Sequence, residues 1–119
     1  MIIGDRLARG LSGNMKNNLD EKYRVCGFVK LGVNRATQIS SMTVDTTLLT
    51  KYDLIIFWGG ANDLNKNNSQ KGLKHLVNFV QSNNHTNIFL MCVPLLHDLL
   101  EWSCVNSETK VLTENCLNL

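Results

Sequence analysis

The sequence predicts an α/β fold built on a parallel sheet, because short apolar runs alternate with stretches suited to helices. The clearest run is Asp53-Leu54-Ile55-Ile56-Phe57-Trp58, which Gly59-Gly60 follows directly. A continuous apolar run of this kind is typical of a strand that is buried on both faces of a parallel sheet. Strands that alternate with helices require right-handed crossovers, so we expect a three-layer α/β/α arrangement.

The sequence contains four candidate strands. Their residues are rich in Ile, Val, Phe and Leu, and glycine or proline follows each run. The last run stops at Pro94, whose nitrogen cannot donate to a sheet. The four runs are Ile2-Ile3, Val25 to Val29 with an end at Gly32, Asp53 to Trp58, and Asn87 to Val93.

Helices are expected between these strands. Residues 69–81 place Leu73, Leu76, Val77 and Val80 at spacings of three and four, which makes one apolar stripe and leaves His75 beside it in solvent. A helix is expected to begin within Leu7-Ala8-Arg9-Gly10-Leu11, and residues 35–50 are weakly helical because they are rich in Thr and Ser.

The chain is expected to form one domain, residues 1–119, since 119 residues that are 44% hydrophobic and 18% charged suit one core. No apolar run approaches the roughly 20 residues of a membrane span, and the first residues do not resemble a secretory leader. We therefore expect a cytoplasmic location and no membrane partner.

The spacing of the four cysteines is consistent with a cytoplasmic location, because they are far apart and form no Cys-x-x-Cys pair. Cys26 and Cys92 lie in apolar runs and are interpreted as small buried side chains. A zinc site of Cys104, Cys116 and His97 is disfavoured, since its spacing matches no finger or ribbon. Neither a metal nor a cofactor is expected.

Charge gives little support to a nucleic-acid partner. The formal net charge is only +2. Residues 1–35 are nevertheless basic, with seven Lys or Arg against three acids, whereas residues 98–119 hold one Lys against four acids.

Ligands of parallel α/β sheets bind beyond the carboxyl ends of the strands. Those ends carry three blocks that resemble the ordered motifs of the SGNH (GDSL-type) hydrolase family. Gly4-Asp5-Arg6-Leu7 is similar to its Gly-Asp-Ser-Leu block, Lys30-Leu31-Gly32-Val33 to its glycine block, and Gly60-Ala61-Asn62-Asp63 to its Gly-x-Asn-Asp block. His97-Asp98-Leu99 and Cys104-Val105-Asn106 also resemble triplets of short insect-type members.

The resemblance implies a flavodoxin-like sheet and descent from a serine-dependent carboxylic-ester hydrolase. In that family the serine attacks, a histidine takes its proton, and the oxyanion hole includes the glycine amide and the asparagine side chain. By this comparison Arg6 occupies the nucleophile position, and Gly32 and Asn62 are the remaining oxyanion donors. A guanidinium stays protonated and cannot attack a carbonyl.

The resemblance further implies that the chain stops before the fifth strand and the Asp-x-x-His loop of the family. His97 is the candidate replacement base, but a loop histidine that bonds to backbone or water is the favoured interpretation. We therefore expect either a fragment of a longer active protein or a shortened, degenerate relative, and we expect the chain itself to be catalytically inactive. The absent strand would leave an open sheet edge, through which self-association is expected.

Two other functions stay open at this stage. The first is a non-catalytic binding module for a small anion, an ester-like ligand or RNA, as in the OSK domain of Oskar. Its binding residues would be Asp5, Arg6, Arg9, Gly32, Asn62 and Asp63. Alternatively, Arg6 only pairs with Asp5 or Asp63, and Asn62 only fixes a turn.

The second function is that of a generic flavodoxin-like fold that binds a phosphate compound. Gly59-Gly60 supports it only weakly, because the pattern G-x-G-x-x-G is not met.

Overall fold

The computed structural model describes residues 1–30, 39, 45–60, 69–91, 93 and 104–117. The described elements are four strands, three α-helices and two short 3-10 helices. In chain order they are β1 (Ile2–Gly4), a 3-10 helix (Arg6–Ala8), α1 (Leu11–Asn18), β2 (Gly27–Val29), a 3-10 helix (Thr46–Leu48), β3 (Leu54–Trp58), α2 (Ser69–Ser82), β4 (Asn87–Met91) and α3 (Cys104–Leu117).

The strands form one sheet in the order β2-β1-β3-β4, and every pairing is parallel. The predicted α/β fold with a four-stranded parallel sheet is therefore confirmed. The order equals the first four strands of the flavodoxin-like order 2-1-3-4-5. The chain moves to opposite sides of β1 to form β2 and β3, so the topological switch point lies between β1 and β3.

One face of the sheet, here the core face, packs against α2. Ile3, Ile55 and Phe57 are buried on this face together with Leu76 and Phe79 of the helix. The rings of Phe57 and Phe79 are 6.0 Å apart between centroids and tilted by 48°. Of the apolar stripe predicted for residues 69–81, Leu76 is buried in this core, and the other three residues, Leu73, Val77 and Val80, are half-buried. The buried Phe79 was not part of the predicted stripe.

The opposite face, here the second face, is only partly covered. At β1 it is covered, since Ile2 is buried. At β2, α1 approaches Gly27 so closely that an added Cβ atom would lie 2.6 Å from Oγ of Ser12, but Val29 is 36% exposed. At β3 and β4 it is open, because Leu54 is 45% and Phe89 57% exposed. Burial of β3 on both faces was therefore a wrong prediction. Since α1 buries none of its residues, the three-layer arrangement stays a prediction.

The connection after β1 differs from the single helix expected there. A 3-10 helix of three residues comes first, then Gly10 adopts a left-handed conformation with φ 77°, and α1 begins at Leu11. Only glycine takes that conformation without a steric penalty, and it turns the chain between the two helices. His75 is half-buried instead of solvated, and Cys26 is half-buried.

The helix α3 was not predicted. It has no clear apolar stripe, because polar and apolar side chains are mixed around the helix. Its sequence is Cys-Val-Asn-Ser-Glu-Thr-Lys-Val-Leu-Thr-Glu-Asn-Cys-Leu. It contacts α2, and its Asn106 and Thr109 are buried. Tertiary contact, and not the local pattern, therefore specifies this helix.

Candidate functional site at the carboxyl ends of β1 and β3

Asp5 is the central residue of the switch point between β1 and β3. Its side chain is fully buried. One carboxylate oxygen, Oδ1, accepts a hydrogen bond from the amide of Leu7 at 2.9 Å, and the other, Oδ2, accepts from the amide of Gly60 at 3.2 Å. The amide of Asp5 donates to the carbonyl oxygen of Trp58 at 3.2 Å. Asp5 therefore ties the end of β1 to the end of β3.

Local sequence explains the hydrogen bond between Asp5 and the amide of Leu7. Asp5 is extended, with φ −97° and ψ −152°, and stands directly before the 3-10 helix as its N-cap. Aspartate is favoured at such a position because its side-chain oxygen accepts from an amide of the first turn. The bond to Gly60 depends instead on β1 and β3 being neighbours in the sheet.

Gly4 permits the close approach of three chain segments beside Asp5. A Cβ atom at this position would lie 2.4 Å from Cβ of Ala8 and 2.4 Å from the carbonyl oxygen of Trp58. Real Cβ atoms essentially never come so close, so any larger residue would push the 3-10 helix away from the strand ends. Ala8 is itself fully buried at this contact.

Three exposed cations lie at the carboxyl edge of β1 and β2. Arg6 begins the 3-10 helix, Arg9 follows it directly, and Lys30 comes directly after β2. The amide of Lys30 donates to the carbonyl oxygen of Gly4 at 3.0 Å, which holds the end of β2 beside the end of β1. We call Arg6, Arg9 and Lys30 the basic edge. Lys30 was not among the predicted site residues, since only the pairing of β1 with β2 brings it there.

The electrostatics of this edge come from side chains and not from backbone amides. The amides of Leu7 and Gly60 already donate to the Asp5 carboxylate. Between the described residues, Arg6 forms no ion pair with Asp5, whereas Lys22 and Asp20 pair at 3.7 Å on the surface. An external anion at the strand ends would thus be met by guanidinium and ammonium groups.

Trp58 places a second polar group near the site. It ends β3, in register with Gly4 and Met91, and its indole Nε1 is buried without a hydrogen-bond partner among the described residues. A buried donor left without an acceptor has a free-energy cost. Nothing in the sequence distinguishes this tryptophan from one that only fills space.

The other predicted site residues lie outside the described part of the chain. These are the two oxyanion candidates, the aspartate that follows the second of them, and the candidate base, namely Gly32, Asn62, Asp63 and His97. Of the predicted set, the structure places Asp5, Arg6 and Arg9 together at the carboxyl end of β1. The convergence of Arg6 with Gly32 and Asn62 stays a prediction.

The described residues include no group of three or more His, Cys, Asp or Glu side chains that could hold a metal ion. His97 of the disfavoured zinc site is outside this set. None of the described helices combines the length and the apolar character needed to cross a membrane.

Comparison with known proteins adds no relative. No protein-family model matches the chain, and neither a curated protein nor a solved structure is significantly similar to it.

Proposed function

We propose that the chain is a non-hydrolytic relative of the SGNH hydrolases, descended from a serine-dependent carboxylic-ester hydrolase. The observation that carries the proposal is the position of Arg6. It lies two positions after the end of β1, beyond Asp5, and begins the next helix, with its side chain exposed at the sheet edge. This is where the Gly-Asp-Ser-Leu block of the family would present its serine.

Two further features support the same ancestry. The strand order β2-β1-β3-β4 is that of a flavodoxin-like sheet, as the resemblance requires. The blocks Gly4-Asp5-Arg6-Leu7 and Gly60-Ala61-Asn62-Asp63 begin at neighbouring strand ends, and the Asp5–Gly60 bond joins them. The cysteine pattern fits a cytoplasmic location, which forms part of this proposal.

Loss of hydrolysis follows from the chemistry of Arg6. Acyl transfer needs a nucleophile whose proton a neighbouring base accepts. A guanidinium is protonated at neutral pH and has no lone pair to offer. Within these 119 residues there is also no Asp-x-x-His sequence to supply the base.

The experiment is hydrolysis of short-chain nitrophenyl esters by the purified chain and by Arg6→Ser, each against a heat-treated sample. Neither protein should exceed its heat-treated control, because a serine without its base recovers little of the rate. Turnover by the unaltered chain that survives further purification would overturn the proposal. Turnover by Arg6→Ser alone would show a base in place.

A second candidate function, binding of a small carboxylate or phosphate, rests on the basic edge. Arg6, Arg9 and Lys30 are exposed and lie on adjacent chain segments at the edge where ligands of such sheets bind. The negative charge of Asp5 opposes the positive potential of these three cations, but its carboxylate is fully buried and accepts hydrogen bonds from two amides. The guanidinium groups can form charge-assisted hydrogen bonds with an anion.

Calorimetric titration with inorganic phosphate, acetate and a short single-stranded RNA tests this second function at two salt concentrations. Small-anion binding should weaken with salt and disappear in Arg6→Ala. Lys16→Ala is the control, since Lys16 is an exposed cation on α1 outside the basic edge. A steep salt dependence with RNA alone would indicate several phosphate contacts and a nucleic-acid partner instead. Binding that is indifferent to Arg6→Ala would exclude the basic edge.

A further inference from the structure

Trp58 carries a hydrogen-bond donor that no described residue uses. Its indole Nε1 is buried and has no partner among the described residues, although Trp58 as a whole is only half-buried. The nitrogen therefore faces the inside of the protein and not bulk water. Buried donors are nearly always paired, and an unpaired one destabilises the free protein. Such a donor is suited to an acceptor that comes from a ligand.

The indole lies at the topological switch point. Trp58 ends β3 and is paired in register with Gly4 at the end of β1. Phe57 faces the core, so Trp58, as the next residue of the strand, has its side chain on the second face. Ligands of such sheets bind beyond the strand ends at the switch point. The unused donor and the expected ligand position thus coincide.

The neighbours of Trp58 at this point offer no free side-chain acceptor. Gly4 has no side chain, and the group that covers it is the methyl group of Ala8. The register partner on β4 is Met91, whose thioether is a weak acceptor. The Asp5 carboxylate accepts from two backbone amides instead. An oxygen brought in by a ligand is the acceptor that Nε1 lacks.

We propose that Nε1 of Trp58 is the neutral donor of the anion site, and that it donates to an oxygen of a small carboxylate or phosphate held by the basic edge. The inference rests on the second proposed function, the binding of a small anion. Arg6 lies two positions beyond Gly4, and neighbouring strands are about 4.8 Å apart. One ion over the end of β1 is therefore within reach of the guanidinium and of the indole.

The charged groups and the indole contribute differently to such a site. The guanidinium and ammonium groups of the basic edge attract any anion, and salt screens this attraction. An indole N–H forms a directional hydrogen bond, and burial strengthens such a bond. The basic edge thus attracts the ion, and Trp58 fixes the position of one of its oxygens.

Proton-nitrogen correlation spectra of the isotope-labelled chain observe this donor directly. The sequence has two tryptophans, Trp58 and Trp102, so two indole signals are expected, and Trp58→Phe identifies the first by removing it. Titration with inorganic phosphate, and separately with acetate, should shift the Trp58 indole proton to higher frequency until the site is saturated. The same titration of Arg6→Ala should leave the signal in place.

Calorimetry measures what the hydrogen bond contributes to affinity. Trp58→Phe should increase the dissociation constant for phosphate by at least about tenfold, because a hydrogen bond to a charged group is lost. Tyr52→Phe is the matched control, since it also removes one polar group from an aromatic side chain. Tyr52 is 87% exposed and lies before the opposite end of β3, so its variant should bind as the unaltered chain does.

The outcomes separate this inference from the function on which it rests. If phosphate binding requires Arg6 but the Trp58 signal does not move, the anion site stands and the role of Trp58 is wrong. Equal weakening by Trp58→Phe and Tyr52→Phe would also overturn that role. If neither ion binds the unaltered chain, the anion function fails and the inference fails with it. Should Trp58→Phe not fold, Trp102→Phe identifies the remaining indole signal as that of Trp58, and the titration of the unaltered chain decides.

Discussion

The carboxylate of Asp5 and the amide of Gly60 are joined by a hydrogen bond of 3.2 Å across 55 positions of the sequence. The same carboxylate accepts from Leu7 at 2.9 Å. One buried side chain thus holds together the strand ends at which the candidate site lies. The contact also keeps Gly60, directly beyond the end of β3, beside the first residues after β1.

Replacing Asp5 with Ala should strongly destabilise the fold. The change leaves the amides of Leu7 and Gly60 without their acceptor, and each unsatisfied amide costs about 1–3 kcal/mol, or roughly 2–6 kcal/mol together. Urea unfolding measures the change. The control is Asp20→Ala at an exposed aspartate, for which we expect a change within about 0.5 kcal/mol. Equal effects of the two substitutions would contradict the structural role of Asp5.

Gly4→Ala and Gly13→Ala should have opposite effects on stability. At Gly4 the new methyl group would meet Ala8 and the Trp58 carbonyl at 2.4 Å, and such overpacking costs about 1–3 kcal/mol or more. At Gly13, inside α1, the added Cβ would meet no atom within 4 Å beyond the adjacent residues and the backbone of its own helix, and alanine should stabilise by roughly 0.5–1 kcal/mol. Thermal unfolding followed by circular dichroism compares the two. Destabilisation by Gly13→Ala would contradict the open surroundings of Gly13, and unchanged stability of Gly4→Ala would contradict the close approach at Gly4.

Two phenylalanines test which face of the sheet contains the core. Phe79 is 5% exposed and packs on Phe57, so Phe79→Ala should cost about 3–5 kcal/mol. Phe89 is 57% exposed, so Phe89→Ala should cost under about 1.5 kcal/mol. Denaturant unfolding of both variants gives the comparison. A larger loss for Phe89→Ala would place a core on the second face.

Asp53 should make folding stability depend on acid pH. Hydrogen bonds from the backbone amide of Thr50 at 2.8 Å and from its hydroxyl at 2.9 Å lower the pKa of the Asp53 carboxyl below its ordinary value of about 3.9. Because the folded pKa is the lower one, the contribution is fully present above about pH 4 and is lost as the pH falls through the folded pKa.

The measurement is the free energy of unfolding of the unaltered chain and of Asp53→Asn across this acid range. The gap between the two proteins should be largest near neutral pH and should shrink as the pH decreases. Thr50→Ala removes the hydroxyl that donates to Asp53 and keeps the amide donor, so its pH dependence should lie between those of the other two. A gap that does not change with pH would show that the Asp53 charge has no part in it.

The positions of the strands and of α2 could be predicted from the sequence, because they depend on contiguous residues. The run Leu54 to Trp58 is a strand as expected, and Leu76 lies on the packed side of α2 as its spacing predicts. The 3-10 helix after β1 and the helix α3 could not be predicted in this way. The first depends on the Asp5 cap and on Gly10, and the second on packing against α2.

By itself, the sequence determined that Arg6 follows a strand in a parallel α/β sheet, since alternating apolar runs are a local property of the chain. Tertiary structure alone decided which strands are neighbours, and hence that Lys30 joins the edge of Arg6 and that the Asp5 carboxylate meets Gly60. It also decided that the second face is open at Leu54 and Phe89. The physical reason is that strand order and face coverage depend on contacts between distant segments, whereas hydrophobic periodicity records only the local burial that each segment favours.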